Sequence, residues 1–204
     1  DRDCPFGRTR ENPSELFLSE RPLNAPGSIV TASVEGTRPM LVELQALVTP
    51  TLLAMPRRTT MGVDHNRVSI LVAVLEKRAE MALYNHDIYV NVAGGLRIQE
   101  PAVDLGIVAS VASSFLNRAI PSDILFLGAV GLTGEIRAVS HIEIRAKEAA
   151  RLGFKKCFLP HSNLKKLKPM SFPRKRESMD LSESRSPAFA GDDNNMEFIG
   201  LKTI

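Results

Sequence analysis

The sequence has 204 residues, of which 44% are hydrophobic and 24% charged, a composition typical of a soluble globular domain with one buried core. It has no run of about 18 apolar residues and no basic segment followed by an apolar one, so neither a membrane span nor a secretory signal is expected. The formal net charge of +3 is too small to indicate a nucleic-acid partner by itself. Cys4 and Cys157 fit no metal or disulfide spacing, which favours a reducing cytoplasm.

The first predicted elements are a short helix and a β-hairpin. Asn12 and Pro13 suit the start of a helix, and Glu15 suits the carboxylate of a capping box. Residues 28–34 and 40–48 are two β-rich runs separated by a loop that contains glycine. This pattern predicts an antiparallel hairpin.

The clearest helix is predicted over residues 64–83. Apolar residues recur there at spacings of three and four, and Asp64 is placed as the N-cap. Charged residues, Arg67 among them, fall on the opposite face. The pattern indicates a helix with one buried side.

The second half alternates strands with helices. Strands are predicted over residues 87–93, 124–128, 156–159 and 196–200, and helices over 103–116 and 142–152. This order predicts an α/β (α+β) fold, in which a β-hairpin and a mixed sheet pack against three helices.

Residues 169–194 differ from the rest because they have no hydrophobic period and carry many charges. They are predicted to be a disordered insertion in a surface loop. The letters SFPRKRES and SPAFAGDD within them resemble translated bacterial palindromic repeat elements. The domain itself is therefore predicted to comprise residues 28–168 plus 195–204, with residues 1–27 leading into it.

Five segments together resemble the C-terminal part of the bacterial RadA/Sms family of DNA repair proteins. They are NPSELFLSERP (12–22), EGTRPMLVELQALV (35–48), PRRTTMGVDHNRVSILVAVLEKR (56–78), DIYVNVAGGLRIQEPAVDLG (87–106) and GAVGLTGEIRAVSHIEIRAKEAARLGFKK (128–156). The resemblance covers roughly residues 12–168 and resumes at 196–204.

The resemblance implies a fold for this chain and assigns the activities of the full-length protein to different domains. Members of that family carry a zinc finger, then a RecA-like ATPase, then a domain with the Lon proteolytic (ribosomal protein S5 domain 2-like) fold. Only the third part is expected here, with residues 1–27 leading in from a missing ATPase domain. The chain has no C-x-x-C and no G-x-x-x-x-G-K-[ST] motif. Zinc, ATP and Mg²⁺ are therefore expected only in the missing domains, and no metal site or cofactor in this chain.

Lon-type peptidases use a Ser–Lys dyad, which this sequence does not reproduce. By the resemblance, Ala102 occupies the position of the nucleophilic serine and Glu143 that of the lysine. Alanine has no hydroxyl, and Arg145, two residues further on, stays protonated and is a poor base. We therefore predict that the chain has no peptidase activity. A substitute site built from Ser110, Ser113 or Ser114 with Lys147 is disfavoured, because serines in an apolar helix usually bond to the main chain.

The resemblance also implies partners for the full-length protein, a DNA-dependent ATPase that drives branch migration. These are single-stranded or branched DNA, copies of itself in a hexameric ring, and a recombinase. The candidate DNA contacts are Arg57, Arg58, Arg97, Arg137 and Arg145. Each can instead be a surface charge or part of an internal ion pair. Two other functions stay open: a Lon-like, ATP-dependent serine peptidase with an unrecognised site, and a pure assembly module.

Overall fold

The structure is a computed structural model that describes residues 13–18, 21–22, 24–52, 54–167 and 196–204. The predicted insertion at 169–194 lies outside the described residues, as do Cys4 and the predicted N-cap Asn12. In the part of the chain that is described, no helix combines the length and apolarity needed to cross a membrane.

The described chain forms nine strands and five α-helices. The strands are β1 (Ser28–Glu35), β2 (Arg38–Pro50), β3 (Arg58–Met61), β4 (His86–Val92), β5 (Ile124–Phe126), β6 (Ala129–Val130), β7 (Ile136–Arg137), β8 (Lys156–Pro160) and β9 (Glu197–Leu201). The helices are α1 (Pro13–Leu18), α2 (His65–Arg78), α3 (Asp104–Phe115), α4 (Ile142–Arg151) and α5 (His161–Leu167). Single 3₁₀ turns lie at Leu83–Asn85, Ala93–Gly95 and Pro101–Val103.

Seven strands form one mixed sheet in the order β3-β4-β2-β1-β5-β8-β9, and β6 and β7 form a separate hairpin. Within the described sheet β2 is antiparallel to its neighbours β1 and β4, whereas every other pairing is parallel. The parallel strands therefore all end at one edge, which we call the carboxyl edge. The opposite edge is called the amino edge.

Helices cover the two faces of the sheet. Successive residues of β1 point to opposite faces: Ile29 joins the apolar cluster under α2 and α3, and Val30 joins the cluster under α4. Both β1 and the centre of β2 are buried on both faces, which explains their nearly continuous apolar sequence. This arrangement confirms the predicted α/β class and is consistent with a Lon-like domain.

The β1–β2 hairpin forms as predicted, with Glu35 opposite Arg38 across the turn. Its other end depends on Gly27, which has φ = +85°. A Cβ atom at that position would lie 2.1 Å from the Ala46 carbonyl oxygen. Only glycine permits both the positive φ and this close approach.

Helix α2 starts where the sequence predicts, because the Asp64 side chain accepts a hydrogen bond from the Arg67 amide at 2.7 Å. The prediction that it extends to residue 83 is wrong, since the helix ends at Arg78. Ala79 caps it by donating its amide to Leu75 O, and Glu80 then takes a left-handed conformation with φ = 52°. The following residues turn towards β4 instead of continuing the helix.

The prediction missed two elements, β3 and α5. Arg58 begins β3, a four-residue edge strand parallel to β4. A strand this short gives a weak sequence pattern. Helix α5 is also short, and its buried Asn163 bonds to both the amide and the carbonyl of Val139. The local sequence does not indicate that contact.

Candidate functional site

A cleft of about 760 Å³ opens at the carboxyl edge of the sheet, and we call it the carboxyl-edge cleft. The start of α2, the turn before α3 and the β6–β7 hairpin enclose it. Its lining includes Arg67, Ile70, Glu100, Ala102, Leu132 and Arg137. In sheets with parallel strands, ligands commonly bind at this edge, where the loops that follow several strands meet.

The resemblance assigns the two positions of the Lon dyad to Ala102 and Glu143, and the cleft lining includes the first of them. Ala102 is buried and lines the carboxyl-edge cleft. Glu143 is exposed on the first turn of α4, and the cleft-lining residues of the described chain do not include it. The cleft therefore presents a methyl group where the resemblance places a nucleophile.

Arg145 and Glu100 form an ion pair directly behind this position. The Arg145 side chain is fully enclosed, with 0% exposure. Its Nη1 lies 2.8 Å from Glu100 Oε1, and its Nη2 lies 2.5 Å from Glu100 Oε2. It also donates to Ala32 O at 2.5 Å and to Ser140 O at 3.1 Å. All of its nitrogens are thus used to join α4, β1 and the turn before α3.

The environment of Glu100 keeps its carboxylate charged. Burial acts to raise the pKa of Glu100, but the hydrogen bond and charge of Arg145 oppose this, as do the Ser33 hydroxyl and the Val34 amide. Together these groups hold the pKa below its ordinary value.

A second ion pair, between Arg67 and Asp104, closes the free edge of β6. Asp104 is almost completely buried, and its Oδ1 accepts from Arg67 Nε at 2.8 Å. Asp104 Oδ2 also accepts from the Val130 amide at 3.0 Å, and Arg67 Nη2 donates to the Val130 carbonyl at 3.0 Å. These two side chains therefore bond to β6 as a neighbouring strand would. The hydrogen bond that Arg67 donates to the Asp104 carboxylate raises the pKa of Arg67.

Sequence reasoning missed this pair, because Arg67 was assigned to a solvent-facing side of α2. The available signal was Asp104, the one charged residue in the otherwise uncharged helix DLGIVASVASSF. A charge at that position needs a partner when the helix is buried.

Two of the five arginine candidates are occupied by internal contacts. Arg145 was predicted as an exposed DNA contact, and that prediction is wrong because its guanidinium is enclosed and fully bonded. Arg58 is only partly exposed, and its guanidinium donates to the backbone carbonyls of Arg57, Leu83 and His86. Arg58 therefore holds β3 against the turn before β4.

The other three candidates, Arg57, Arg97 and Arg137, are exposed, but they do not form one patch. Arg57 precedes β3 and lies at the amino edge, whereas Arg97 follows β4 and lies at the carboxyl edge. Arg137 stands on the carboxyl-edge cleft and bonds to Glu135 at 2.8 Å, yet 69% of its side chain stays exposed. The guanidinium of Arg97 has no hydrogen-bond or ion-pair partner among the described residues.

The serines of α3 bond to the main chain, as predicted for an apolar helix. Ser110 donates to Ile107 O at 2.8 Å, and Ser113 donates to Arg118 O at 2.6 Å. Ser114 accepts from the Val48 amide at 2.9 Å. The last two lie near the end of α3 at the amino edge, far from the cleft, and Lys147 is exposed on α4.

Comparison with known proteins places these features in a family. A family model described as subunit ChlI of Mg-chelatase matches residues 45–163. The proteins called DNA repair protein RadA from Halalkalibacterium halodurans and Bacillus subtilis are each 58% identical over 153 residues, 75% of this chain. The protein of that name from Synechocystis is 52% identical over 149 residues, 73% of the chain.

The match to the family model covers more than half of the chain, so the chain belongs to the family that this model describes. Within that class, the chain belongs to the RadA family of bacterial DNA repair proteins. It spans 34% of the H. halodurans relative, 33% of the B. subtilis relative and 30% of the Synechocystis relative.

Proposed function

We propose that the chain acts as a non-proteolytic, Lon-like module of a RadA-type DNA repair and recombination protein, in which it supports self-assembly and contacts DNA. The observation that carries the proposal is the carboxyl-edge cleft, which holds Ala102 at the nucleophile position and has the exposed Arg97 and Arg137 at the same edge of the sheet.

The Lon-type dyad is not reproduced at the position that the resemblance assigns to its nucleophile. Acyl transfer requires a nucleophile together with a base within hydrogen-bond reach. Ala102 supplies no nucleophile, and the cationic side chain behind it, Arg145, is bound to a carboxylate. The scaffold is therefore suited to binding and assembly.

The carboxyl edge offers cations for phosphate contacts. Its buried carboxylates are neutralised internally, Asp104 by Arg67 and Glu100 by Arg145. Arg97 remains available to a phosphate backbone, and Arg137, although paired with Glu135, keeps 69% of its side chain exposed. Such contacts give affinity that depends on salt and carry no sequence readout. The DNA class proposed is single-stranded or branched DNA.

In the longer protein, different portions of the chain would carry different activities. ATP hydrolysis, Mg²⁺ binding, Zn²⁺ binding and branch migration are assigned to the portions of a RadA-type protein that this chain does not contain. The module itself would need no metal or cofactor. A hexameric ring is the proposed assembly, a recombinase is a proposed partner of the longer protein, and the cytoplasm is the proposed location.

A fluorescence-anisotropy titration of the chain against labelled single-stranded DNA tests the proposal. We expect the wild-type chain to bind at low salt and Arg97→Ala/Arg137→Ala to bind more weakly. Arg118→Ala is the matched control, since Arg118 is exposed at the amino edge. Arg57→Ala, in a separate arm, measures whether the amino edge takes part. An affinity unchanged in Arg97→Ala/Arg137→Ala would move the DNA contact away from the carboxyl edge.

The alternative of a hidden serine peptidase makes the opposite prediction in a digestion assay. We expect the purified chain to leave unfolded casein intact, with and without ATP. Casein cleavage that is lost in Ser110→Ala, Ser113→Ala or Ser114→Ala would establish the peptidase and overturn the non-proteolytic assignment.

A further inference from the structure

The segment before β1 lies on the face of the sheet that α4 also covers. It consists of α1, Arg21 and Pro22, and we call residues 13–18 and 21–22 the strap. Leu18 packs against the apolar cluster under α4. Polar side chains of the strap bond to the domain at two places, one on β2 and α4 and the other at the amino edge.

The first of these contacts closes part of an open strand edge. Among the described strands, β4 pairs with β2 only over Leu44–Pro50, so residues 38–43 of β2 have a strand partner on one side alone. The Leu41 amide in this stretch donates to Ser14 Oγ at 3.0 Å, and the Ser14 hydroxyl donates to Glu148 Oε1 on α4 at 3.1 Å. Ser14 is fully buried. One hydroxyl thus connects the strap, β2 and α4.

Arg21 makes the second contact, at the amino edge. Its Nη1 donates to Ser122 O at 2.8 Å, and its Nε donates to Ser28 Oγ at 3.2 Å. The Ser28 hydroxyl in turn donates to the buried Glu43 carboxylate at 2.6 Å. Burial lowers the pKa of Arg21, and the charge of Glu43 opposes that shift only in part. The docked arginine therefore keeps part of its desolvation cost, which favours a contact that opens reversibly.

Helix α4 connects the strap with the carboxyl-edge cleft. Glu148, which the strap contacts, lies one helical turn after Arg145, whose guanidinium holds Glu100 at the wall of the cleft. Glu100 also accepts the Val34 amide at 2.8 Å. The hairpin of β1 and β2 thus carries two amides that bond to side chains, Leu41 to the strap and Val34 to the cleft wall. These two amides lie at the two ends of the connection.

We propose that the strap is a reversible latch, which holds α4 in place while it is docked and which loosens α4, and with it the ion pair behind the carboxyl-edge cleft, when it opens. An element with two states is the physical requirement for coupling between two separate sites. Local opening at a free energy below that of global unfolding is a general property of native proteins. The latch acts on the rigidity of the cleft wall, so it does not depend on the proposed contact with DNA.

Amide hydrogen exchange of the full chain, followed by NMR under conditions where exchange reports the opening equilibrium, tests the latch. Arg21→Ala removes the contact at the amino edge and leaves Ser14 and α4 unchanged. We expect the Leu41 amide to exchange about tenfold faster in this variant, because the hydrogen bonds of a charged group no longer hold the strap. The Val34 amide should exchange several-fold faster as well, since its acceptor Glu100 is held less firmly.

Arg118→Ala is the matched control, because Arg118 is exposed at the same edge and lies outside the strap. It should leave the exchange of both amides unchanged. The Ile98 amide, which bonds to the chain just after β3 at 2.7 Å, is the internal reference and should exchange equally in all variants. Arg21→Lys keeps a positive charge beside Glu43 and should restore part of the protection of the Leu41 amide.

The exchange rates of the three amides in Arg21→Ala decide the matter. Faster exchange at Leu41 and Val34 with Ile98 unchanged supports the latch. An unchanged rate at Leu41 overturns it, because the strap then stays docked without its contact at the amino edge. Faster exchange at Leu41 alone overturns the coupling to the cleft, and equal acceleration at all three amides overturns the latch in favour of a global loss of stability. None of these rates depends on DNA affinity, so failure of the latch and failure of the proposed function are distinguishable.

Discussion

Arg145 is a charged side chain that the fold encloses completely, and its position decides how the cleft is built. Removing one partner of a buried ion pair typically costs about 3–5 kcal/mol, because the other partner keeps its desolvation penalty. An exposed pair contributes about 0–1 kcal/mol. The Glu100–Arg145 pair belongs mainly to the first class, although 25% of the Glu100 side chain is exposed.

We predict that Arg145→Ala lowers the free energy of unfolding by about 3 kcal/mol or more, measured by urea denaturation. Arg151→Ala on the same helix is the control, because Arg151 is half exposed in its pairs with Glu148 and Glu15. That variant should lose about 1 kcal/mol or less. Equal losses in the two variants would contradict the structural role assigned to Arg145.

The lowered pKa of Glu100 gives the chain an acid-dependent stability. A carboxylate whose pKa is depressed by folding stabilises the native state above its unfolded pKa of about 4.3. That contribution is lost as the pH falls through the depressed value. We therefore expect the free energy of unfolding of the wild type to fall as the pH is lowered from about 5 towards 3.

The Glu100→Gln variant tests this prediction. It should be less stable than the wild type at neutral pH, because Arg145 loses its charged partner, and its stability should fall less steeply in acid. Glu135 also has a lowered pKa, of about 2, owing to the Thr133 hydroxyl, its own backbone amide and Arg137. Glu135→Gln is thus the necessary comparison. If Glu100→Gln keeps the full acid dependence of the wild type, another carboxylate is responsible for it.

At the scale of elements, Arg67 and Asp104 connect α2, α3 and β6 through one set of hydrogen bonds. We predict that a double-mutant cycle of Arg67→Met and Asp104→Asn gives a coupling energy of roughly 1–3 kcal/mol in urea denaturation. The exposed cross-strand pair Lys156–Glu197, at 3.2 Å, is the control and should couple by less than about 1 kcal/mol. A coupling near zero for Arg67–Asp104 would mean that the three elements are held together by apolar packing alone.

The sequence predicts some elements better than others. Elements that depend on neighbouring residues are predictable, whereas elements that depend on contacts with distant parts of the chain are not. Helix α2 is predictable because its apolar period and its Asp64 cap lie within the helix itself. Its end at Arg78 was not predicted, because apolar residues continue at helical spacing as far as Leu83. The chain nevertheless turns at Glu80, which has a positive φ. Strand β3 depends on pairing with β4, about 30 residues later in the chain, and no local pattern reveals that.

The residues of the candidate site also divide into those that the local sequence predicts and those that depend on long-range contacts. The position of Ala102 in a cleft was predictable from the resemblance, because the segment before α3 is contiguous. The enclosure of Arg145 was not, since its partners Ala32 and Glu100 are brought together only by the sheet. Whether an arginine is exposed depends on the tertiary structure, which the local sequence does not show. Three of the five candidate contacts are exposed, and two are bound internally.

For the whole molecule, the sheet separates the basic candidates between two edges and places the open cleft at one of them. A single copy therefore presents Arg97 and Arg137 at the carboxyl edge and Arg57 at the amino edge. Phosphate contacts at the carboxyl edge would therefore depend on Arg97 and Arg137, and any contact at the amino edge on Arg57.

The most direct measurement is the salt dependence of binding to single-stranded DNA, compared between the wild type and Arg97→Ala/Arg137→Ala. Each lost phosphate contact reduces the slope of log K against log salt by about 0.7, so the double variant should have a slope smaller by about 1.4. Arg118→Ala should leave the slope unchanged. Absence of wild-type binding at low salt, or an unchanged slope in the double variant, would contradict the assignment of DNA contacts to the carboxyl edge.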